Sequence, residues 1–246
     1  MQGFEATLTY AREQDEVDIL YPFRERFRIP QHEGRDVYYF CGNSLGLQPK
    51  SVAYLMEQEL EDWAKYGVEG HFQARNPWFS YHRLFSERLS KIVGAKPDEV
   101  VATNTLTVNL HLLMISFYRP EGKRYKILME AGAFPSDQYA VETQVRMHGY
   151  DPADAIIEIA PREGEHIIEE QDILQAIEDA GDSLALVMLG GVNYYTGQFF
   201  DLAKITQAAH RVGAYAGYDL AHAVGNVPLH LHDWNIDFAC SCSYKY

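Results

Sequence analysis

The sequence has few basic residues, few cysteines and no long apolar run, and each shortage argues against a class of function. Lysine and arginine number 21 against 35 aspartates and glutamates, which gives a formal net charge of -14 at pH 7. Nucleic acids and anionic membrane surfaces attract clustered cations, so a chain of this charge is a poor match for either. We therefore expect neither nucleic acid nor membrane as a partner.

The three cysteines, Cys41, Cys240 and Cys242, form neither an even set nor a CxxC pair. This spacing disfavours a disulfide framework and a zinc site, and favours reduced thiols in the cytoplasm. The first residues carry acids where a secretory signal would need a basic start and an apolar run. The longest apolar stretch, around 106–118, contains an asparagine and a histidine and is shorter than the ~20 residues of a spanning helix. We expect a cytoplasmic protein without a transmembrane segment.

The 246 residues are 47% hydrophobic, which is enough for the core of one large domain or two small ones. Apolar spacing predicts an amphipathic helix over 49–66 that begins at Pro49 and stops at Gly67. A second predicted helix is capped by Ser80 and ends at Gly94, a left-handed stop. The apolar face of the first helix comprises Val52, Leu55, Met56, Leu60 and Trp63.

Beyond the second helix, short β-rich segments alternate with helical segments. The predicted strands are 99–102, 125–129, 155–159, 184–189, 214–218 and 236–240, and the predicted helices are 105–117, 136–147, 171–180 and 201–212. Alternation of this kind predicts an α/β fold with a largely parallel sheet flanked by helices. We predict an N-terminal helical segment over 1–75 and an α/β domain over 76–246.

An acid, a histidine and a lysine follow two of the predicted strands. Asp219 ends one apolar segment, His222 comes three residues later, and Lys245 follows the next apolar segment. A buried carboxylate at a sheet edge is costly without a cationic partner, and a protonated pyridine nitrogen would be one. A lysine amine could bind the aldehyde of the same cofactor, so the pattern suits pyridoxal phosphate. The alternatives are a hydrogen-bonded core or turn histidine and a surface lysine.

Three further segments allow both a functional and a structural interpretation. The hydroxyls and amides of 103–109 at a helix start suit a phosphate cradle or an ordinary capped helix. Segment 133–137 could place an aromatic ring over a flat cofactor and an acid beside it, or simply initiate a helix. His230 and His232, with Asp233 beyond, suggest a metal site but lack a convincing third ligand, so no metal is expected.

Several segments together resemble kynureninase, a fold-type I pyridoxal phosphate enzyme. The matching blocks are CGNSLGLQPK at 41–50, LTVNLH at 106–111, FPSD at 134–137, YTGQ at 195–198, DLAHAVGN at 219–226, LHDW at 231–234 and SYKY at 243–246. Blocks that recur in order over most of a chain are more specific than a single glycine-rich motif. Gly190 departs from the pattern, because the family more often has a hydroxyl residue there.

The resemblance implies a transferase-like large domain with a mainly parallel sheet of the seven-stranded type. The implied reaction is hydrolysis of L-kynurenine, or its 3-hydroxy form, to L-alanine and anthranilate or 3-hydroxyanthranilate, in tryptophan catabolism and NAD biosynthesis. It also implies a homodimer, and a longer family chain whose C-terminal small domain is absent here. We therefore expect a truncated chain.

The resemblance also implies roles for individual residues. Lys245 would bind the cofactor covalently and act on the substrate α-proton, Asp219 would hold the pyridinium, and Tyr244 would lie near the phosphate and act in proton transfer. Ser44 and His71 match substrate positions. The full implied set of cofactor-binding residues is Leu106, Thr107, Phe134, Ser136, Asp137, Asp219, His222, Tyr244 and Lys245.

Two other interpretations stay open at this stage. Another fold-type I enzyme, such as a cysteine desulfurase or an aminotransferase, would share the placement of Asp219 and Lys245. A desulfurase, however, needs a mobile loop with a nucleophilic cysteine. The second alternative is an inactive fragment that serves as a dimerisation or binding module.

Overall fold

A five-stranded parallel sheet forms the centre of the C-terminal part of the protein. In the computed structural model, which describes residues 4–246, the chain divides into two units, Met1–Tyr81 and His82–Tyr246. The sheet lies entirely in the second unit. None of the helices within residues 4–246 is both long and apolar enough to cross a bilayer.

The first unit contains short helices and two pairs of two-residue strands. Its α-helices are α1 Leu8–Val17, α2 Val52–Tyr66 and α3 Gly70–Gln73, and its 3-10 helices are Tyr21–Arg26, Gly67–Glu69 and Trp78–Ser80. Its antiparallel strand pairs are β1 Phe27–Arg28 with β4 Gln48–Pro49, and β2 Gln31–His32 with β3 Arg35–Asp36.

Helix α2 confirms the first predicted helix and its stop at Gly67, but the predicted start was wrong. Pro49 lies in β4, so the helix begins at Val52 rather than at the proline. The side chains of the apolar face are exposed in this unit; Trp63, for example, is 66% exposed. An amphipathic pattern shows that one face of a helix favours burial, but the pattern does not identify the surface that covers this face.

The second unit alternates helices with the strands of the sheet. Its α-helices are α4 Arg83–Val93, α5 Leu106–Phe117, α6 Pro135–Met147, α7 Pro152–Ala155, α8 Glu170–Ala180 and α9 Leu202–Arg211. Its strands are β5 Lys126–Glu130, β6 Ile156–Ile159, β7 Leu184–Gly190, β8 Tyr215–Asp219 and β9 Phe238–Cys240, and its 3-10 helices are Pro97–Glu99 and Gly181–Ser183.

The sheet has the order β6-β5-β7-β8-β9, and every neighbouring pair is parallel. The predicted parallel α/β sheet is thus confirmed, and residues 4–246 form five of its strands. The predicted strand over 99–102 was wrong, because Pro97–Glu99 is a 3-10 helix and residues 100–102 belong to no strand. The predicted cap of α4 was also wrong: Ser80 ends a 3-10 helix and His82 is the residue before α4.

Both faces of the sheet are buried. Ile127 and Met129 of β5 belong to one apolar cluster with residues of α5 and α6, whereas Leu128 belongs to a second cluster with residues of α8 and α9. Since successive side chains of a strand point to opposite faces, helices cover the sheet on both sides. The carboxyl ends of the parallel strands consequently share one edge, where loops and helix starts converge.

Gly94 ends α4 in the left-handed conformation, with φ at 63°. A Cβ at this position would lie 2.2 Å from the backbone oxygen of Leu229. We therefore expect Gly94→Ala to lower the free energy of unfolding by roughly 2–4 kcal/mol, from backbone strain and overpacking together. Gly149→Ala is the matched control, because Gly149 has φ of 84° but open space around it. It should cost only about 1 kcal/mol. Equal losses in denaturant unfolding would contradict the packing argument.

Candidate active site

Asp219 is the acid that ends β8, and the backbone fixes it from both neighbouring strands. The Gly191 amide donates to the Asp219 carbonyl at 2.7 Å, and the Leu220 amide donates to the Cys240 carbonyl at 2.8 Å. The Asp219 side chain is 8% exposed, and its Oδ1 accepts from the Ala221 amide at 2.7 Å. A carboxyl group is thus held rigidly at the carboxyl edge of the sheet.

A second acid, Asp137, meets Asp219 from the first turn of α6. The two carboxyl groups share a hydrogen bond, and the Ser136 hydroxyl lies 3.3 Å from Asp137 Oδ1. Burial, followed by the charge and hydrogen bond of Asp219, raises the pKa of Asp137 to about 8. At neutral pH Asp137 therefore carries a proton and donates it in the hydrogen bond to Asp219.

A third acid, Glu130, ends β5 at the same edge of the sheet and is only 4% exposed. The Gly190 amide at the end of β7 donates to both of its carboxylate oxygens, at 3.1 and 3.2 Å. Burial raises the pKa of Glu130, and the charge of Asp219 adds to this effect. Three carboxyl groups therefore crowd the ends of β5 and β8 and the start of α6.

Lys245 follows β9 and reaches the same region. Its Nζ lies 3.0 Å from His222 Nε2 and 5.9 Å from the centre of the Phe134 ring. Burial and the positive charge of Lys245 lower the pKa of His222, which favours the neutral imidazole that can accept a hydrogen bond from the lysine. The amine, the imidazole and an aromatic ring thus lie together, as the pyridoxal phosphate interpretation requires.

Two tyrosines complete this group. The Tyr194 ring meets the Phe134 ring edge to face, with centroids 5.2 Å apart. Tyr244, which precedes Lys245, forms a side-chain hydrogen bond with Cys242 that raises the pKa of the Tyr244 hydroxyl. The Tyr244 residue as a whole is exposed.

Leu106 and Thr107 form the first turn of α5, a helix that packs against α6 and β9. Within the described residues, the side chain of Thr105, which precedes the helix, makes no capping hydrogen bond. The Asn109 side-chain amide, through Nδ2, donates to the Thr103 carbonyl at 2.8 Å and so ties the preceding loop to the helix. Amide groups of a first turn that are not capped can bind an anion such as phosphate.

Ser44 and His71, matched to substrate positions by resemblance, both lie in the unit Met1–Tyr81. Ser44 is exposed in a turn, where its amide donates to the Cys41 carbonyl at 2.9 Å. His71 is exposed on α3 and packs edge to face against Trp78 at 5.5 Å. Their assignment to the substrate stays a prediction.

The histidines near 230 have other contacts. His232 Nδ1 lies 2.9 Å from Glu99 Oε1, and the His230 ring packs against Trp234 at 5.6 Å. In the part of the chain that the structure describes, no three histidine, cysteine, aspartate or glutamate side chains form a group that could hold a metal ion.

The residues present fit pyridoxal phosphate in two respects. Within residues 4–246, no lysine, arginine or histidine forms an ion pair with Glu130, Asp137 or Asp219, so a cationic ring nitrogen would supply the missing partner. Near these acids, the amine of Lys245 lies beside the exposed ring of Phe134. Buried acids, an amine and an aromatic ring are the groups that a cofactor with a cationic aromatic ring and an aldehyde needs.

Comparison with known proteins identifies the family of the chain. The family model described as Aminotransferase class-V matches residues 38–246. The chain belongs to the class-V aminotransferase family. Members of this family depend on pyridoxal phosphate, and the fold-type I domain expected from the sequence is thereby confirmed.

Among individual proteins, the chain is 60% identical over 243 residues to a kynureninase of Flavobacterium psychrophilum and 57% identical over 244 residues to one of Myxococcus xanthus. Each match covers 99% of this chain and 57% of the relative, so the chain spans little more than half the length of these relatives. A cysteine desulfurase of Escherichia coli is similar in fold, with a TM-score of 0.73 at 17% identity, over 93% of this chain and 55% of that one.

The sequence interpretation missed two residues of this region, Glu130 and Tyr194. Glu130 carries the same signal that singled out Asp219, an acid at the end of an apolar strand. Tyr194 precedes the YTGQ block at 195–198, and its local sequence does not indicate that it would reach Phe134. Gly190, noted for its missing hydroxyl, instead provides the amide that binds Glu130.

The raised pKa of Asp137 makes the stability of the cofactor-free chain depend on pH. Because its folded-state pKa, about 8, exceeds the ordinary value of 3.8, folding takes up a proton between these limits and stability falls as pH rises. Asp137→Asn should remove this loss, on the order of 1 kcal/mol per pH unit between pH 5 and 8. Denaturant unfolding at several pH values measures it. Asp98→Asn, at an exposed acid, should show the same dependence of unfolding free energy on pH as the native chain. The same dependence in Asp137→Asn would contradict the argument.

Proposed function

We propose that this chain is the cofactor-binding part of a kynureninase that hydrolyses L-kynurenine or 3-hydroxy-L-kynurenine. The products would be L-alanine and anthranilate or 3-hydroxyanthranilate, in tryptophan catabolism and NAD biosynthesis. The observation that carries the proposal is 60% identity to a kynureninase over 99% of the chain. Because that match spans 57% of the relative, the activity is proposed for the protein of which this chain forms a part.

The contacts of Lys245 support its role as the covalent anchor and proton carrier. When bound, pyridoxal phosphate supplies an electron sink for breaking bonds at the substrate α-carbon. Lys245 Nζ would hold the cofactor and, once the substrate amine displaces it, would be free to take the α-proton. His222, kept neutral by burial and by the lysine charge, can accept a hydrogen bond from the Lys245 amine and so orient it.

The acids at the sheet edge would hold the other end of the ring. Asp219 is buried, hydrogen-bonded to the Ala221 amide and to Asp137, and its carboxylate has further lone pairs that can accept from a protonated ring nitrogen. Phe134 would stack on the ring, and Ser136 would belong to the same polar network. Leu106 and Thr107 would bind the phosphate through the start of α5.

The remaining roles are proposed on the resemblance. Tyr244 would add a hydroxyl near the phosphate and take part in proton transfer, and the exposure of the residue is compatible with this. Ser44 and His71 would contact the substrate. We also propose a cytoplasmic location.

A cysteine desulfurase function finds little support at the described site. Cys240 is buried in β9, and burial raises the pKa of its thiol, which disfavours the nucleophilic thiolate. Cys242 forms a side-chain hydrogen bond with Tyr244. The likeness to desulfurase structures, at 17–18% identity, concerns the fold alone.

The first test is an absorbance scan of the 246-residue chain with pyridoxal phosphate. We expect a visible band that is absent from Lys245→Ala, because the amine is the covalent anchor. Lys91→Ala, at an exposed lysine of α4, should keep the band. L-kynurenine is then added and anthranilate fluorescence is recorded.

The two readings separate cofactor binding from activity. A Lys245-dependent band followed by anthranilate would make this chain a working kynureninase. A band without product would place the missing groups in the part of the relatives that this chain does not match. A chain with no band, or with a band that survives Lys245→Ala, contradicts the proposed cofactor site.

We also propose that the protein forms a homodimer, as the resemblance implies. Met56, Leu60 and Trp63 of α2 line a surface depression of ≈ 250 Å³ together with Glu59 and Trp78. Exposed apolar side chains of this kind are typical of surfaces that bind another protein, which supports contact between two copies of the chain. Light scattering at micromolar concentration should give twice the monomer mass of 28.1 kDa. A monomeric mass under these conditions would count against the dimer.

A further inference from the structure

We propose that Glu130 is a third acid of the cofactor site, a positioning residue whose carboxylate, fixed on the Gly190 amide, helps Asp219 to hold a cationic ring nitrogen. This inference rests on the proposed function, since it assumes that pyridoxal phosphate binds at Asp219 and Lys245. Neither the sequence interpretation nor the family resemblance assigns a role to Glu130.

The hydrogen bonds connect Glu130 to Asp219 through a single peptide unit. Strand β7 lies between β5 and β8, and Gly190 stands opposite Asp219 in the strand register. The Gly190 amide donates to Glu130, and the next amide, that of Gly191, donates to the Asp219 carbonyl. A shift of either acid is thus transmitted to the other by the end of β7.

The close approach of Glu130 depends on the absence of a side chain at Gly190. A Cβ at this position would lie 2.9 Å from Glu130 Oε1, closer than such atoms normally approach. A Cβ at Gly191 would lie 2.5 Å from Leu220 Cδ2. The glycine pair therefore leaves room for the carboxylate on one side and for the turn after Asp219 on the other.

Glu130 is poorly satisfied for a buried acid. Its two oxygens accept from the Gly190 amide and interact with the backbone amide of Glu130 itself, whereas an ionised carboxylate can accept about four hydrogen bonds. In the described part of the chain it forms no ion pair with a cation, and burial together with the Asp219 charge raises its pKa. A cation bound at Asp219 would lower this pKa again and would be attracted by the ionised carboxylate of Glu130.

The charge of Glu130 also acts on the hydrogen bond between the other two acids. It adds to the burial and the Asp219 charge that raise the pKa of Asp137. Asp137 thereby keeps its proton and leaves the negative charge on Asp219, where the ring nitrogen would sit. Glu130 thus favours the arrangement in which Asp219 faces the cation.

The test compares two cofactors that differ only at the ring nitrogen. One is pyridoxal 5'-phosphate, and the other is its deaza analogue, in which carbon replaces this nitrogen and the ring cannot become cationic. Dissociation constants for both are measured by absorbance titration of the 246-residue chain and of Glu130→Gln. Glu158→Gln, at an exposed glutamate on the neighbouring strand β6, is the matched control.

We expect Glu130→Gln to bind pyridoxal phosphate on the order of tenfold more weakly and the deaza analogue within about twofold of the native chain. Glu158→Gln should bind both as the native chain does. In thermal unfolding, the gain in Tm caused by pyridoxal phosphate should shrink in Glu130→Gln, because a bound ligand stabilises according to its affinity. The Tm of the cofactor-free variant should not fall, since an underpaired buried acid has been removed.

Other outcomes overturn the proposal in distinguishable ways. Unchanged binding of pyridoxal phosphate by Glu130→Gln would show that the charge does not act on the cofactor. Equal weakening for both cofactors, with a lower Tm of the free variant, would leave Glu130 a purely structural role. Failure of the native chain to bind pyridoxal phosphate would refute the proposed site itself, and the role of Glu130 with it.

Gly190→Ala serves as the second variant if Glu130→Gln does not fold. It preserves the acid but displaces its carboxyl group, because the added Cβ would lie only 2.9 Å from Glu130 Oε1. The same selective loss of pyridoxal phosphate over the deaza analogue is expected. Equal effects on both cofactors would again overturn the proposal.

Discussion

The crowding of buried acids at one edge of the parallel sheet is the constraint on which the candidate site depends. Glu130, Asp137 and Asp219 come from three different segments, yet parallel strands bring their ends to the same edge. Three adjacent buried carboxyl groups cannot all be ionised without a counter-charge. The chain meets this condition in part by keeping a proton on Asp137. A cationic ligand would meet the rest, which explains why so acidic a site suits a pyridinium ring.

The end of strand β7 fixes the positions of two of these acids through hydrogen bonds. Strand β7 is the central strand of the sheet, its side chains are almost entirely buried, and it ends in the Gly190–Gly191 pair. Because glycine has no side chain, the end of β7 can donate amides to Glu130 and to Asp219 at once. A side chain at Gly190 would crowd Glu130 in this arrangement, because its Cβ would lie 2.9 Å from Glu130 Oε1. The contact of Glu130 with the end of β7 therefore depends on glycine at this position.

Much of the second unit could be predicted from local sequence signals. The helices around the sheet follow apolar spacing, and Gly94 ends α4 by a backbone conformation that glycine adopts readily. Asp219 and Lys245 were found because a charged group at the end of a buried strand is costly unless it has a partner or a ligand. Contacts between distant segments were out of reach: Tyr194 meets Phe134, and β4 takes Pro49 out of the predicted helix through pairing with β1. Glu130 was missed although its signal was local, because a single acid at a strand end gains meaning only when its neighbours are known.

The order of the strands explains how the site can hold a flat cofactor at both ends. Asp219 ends β8, Lys245 follows the adjacent strand β9, and Phe134 follows β5 on the other side of β7. The charge anchor and the covalent anchor therefore come from adjacent strands. The stacking ring and two of the acids come from the other side of the central strand. A shift of β8 relative to β7 would move Asp219 away from Gly191 and from Asp137 together. The register of these two strands is thus the element of the fold that the proposed chemistry needs most.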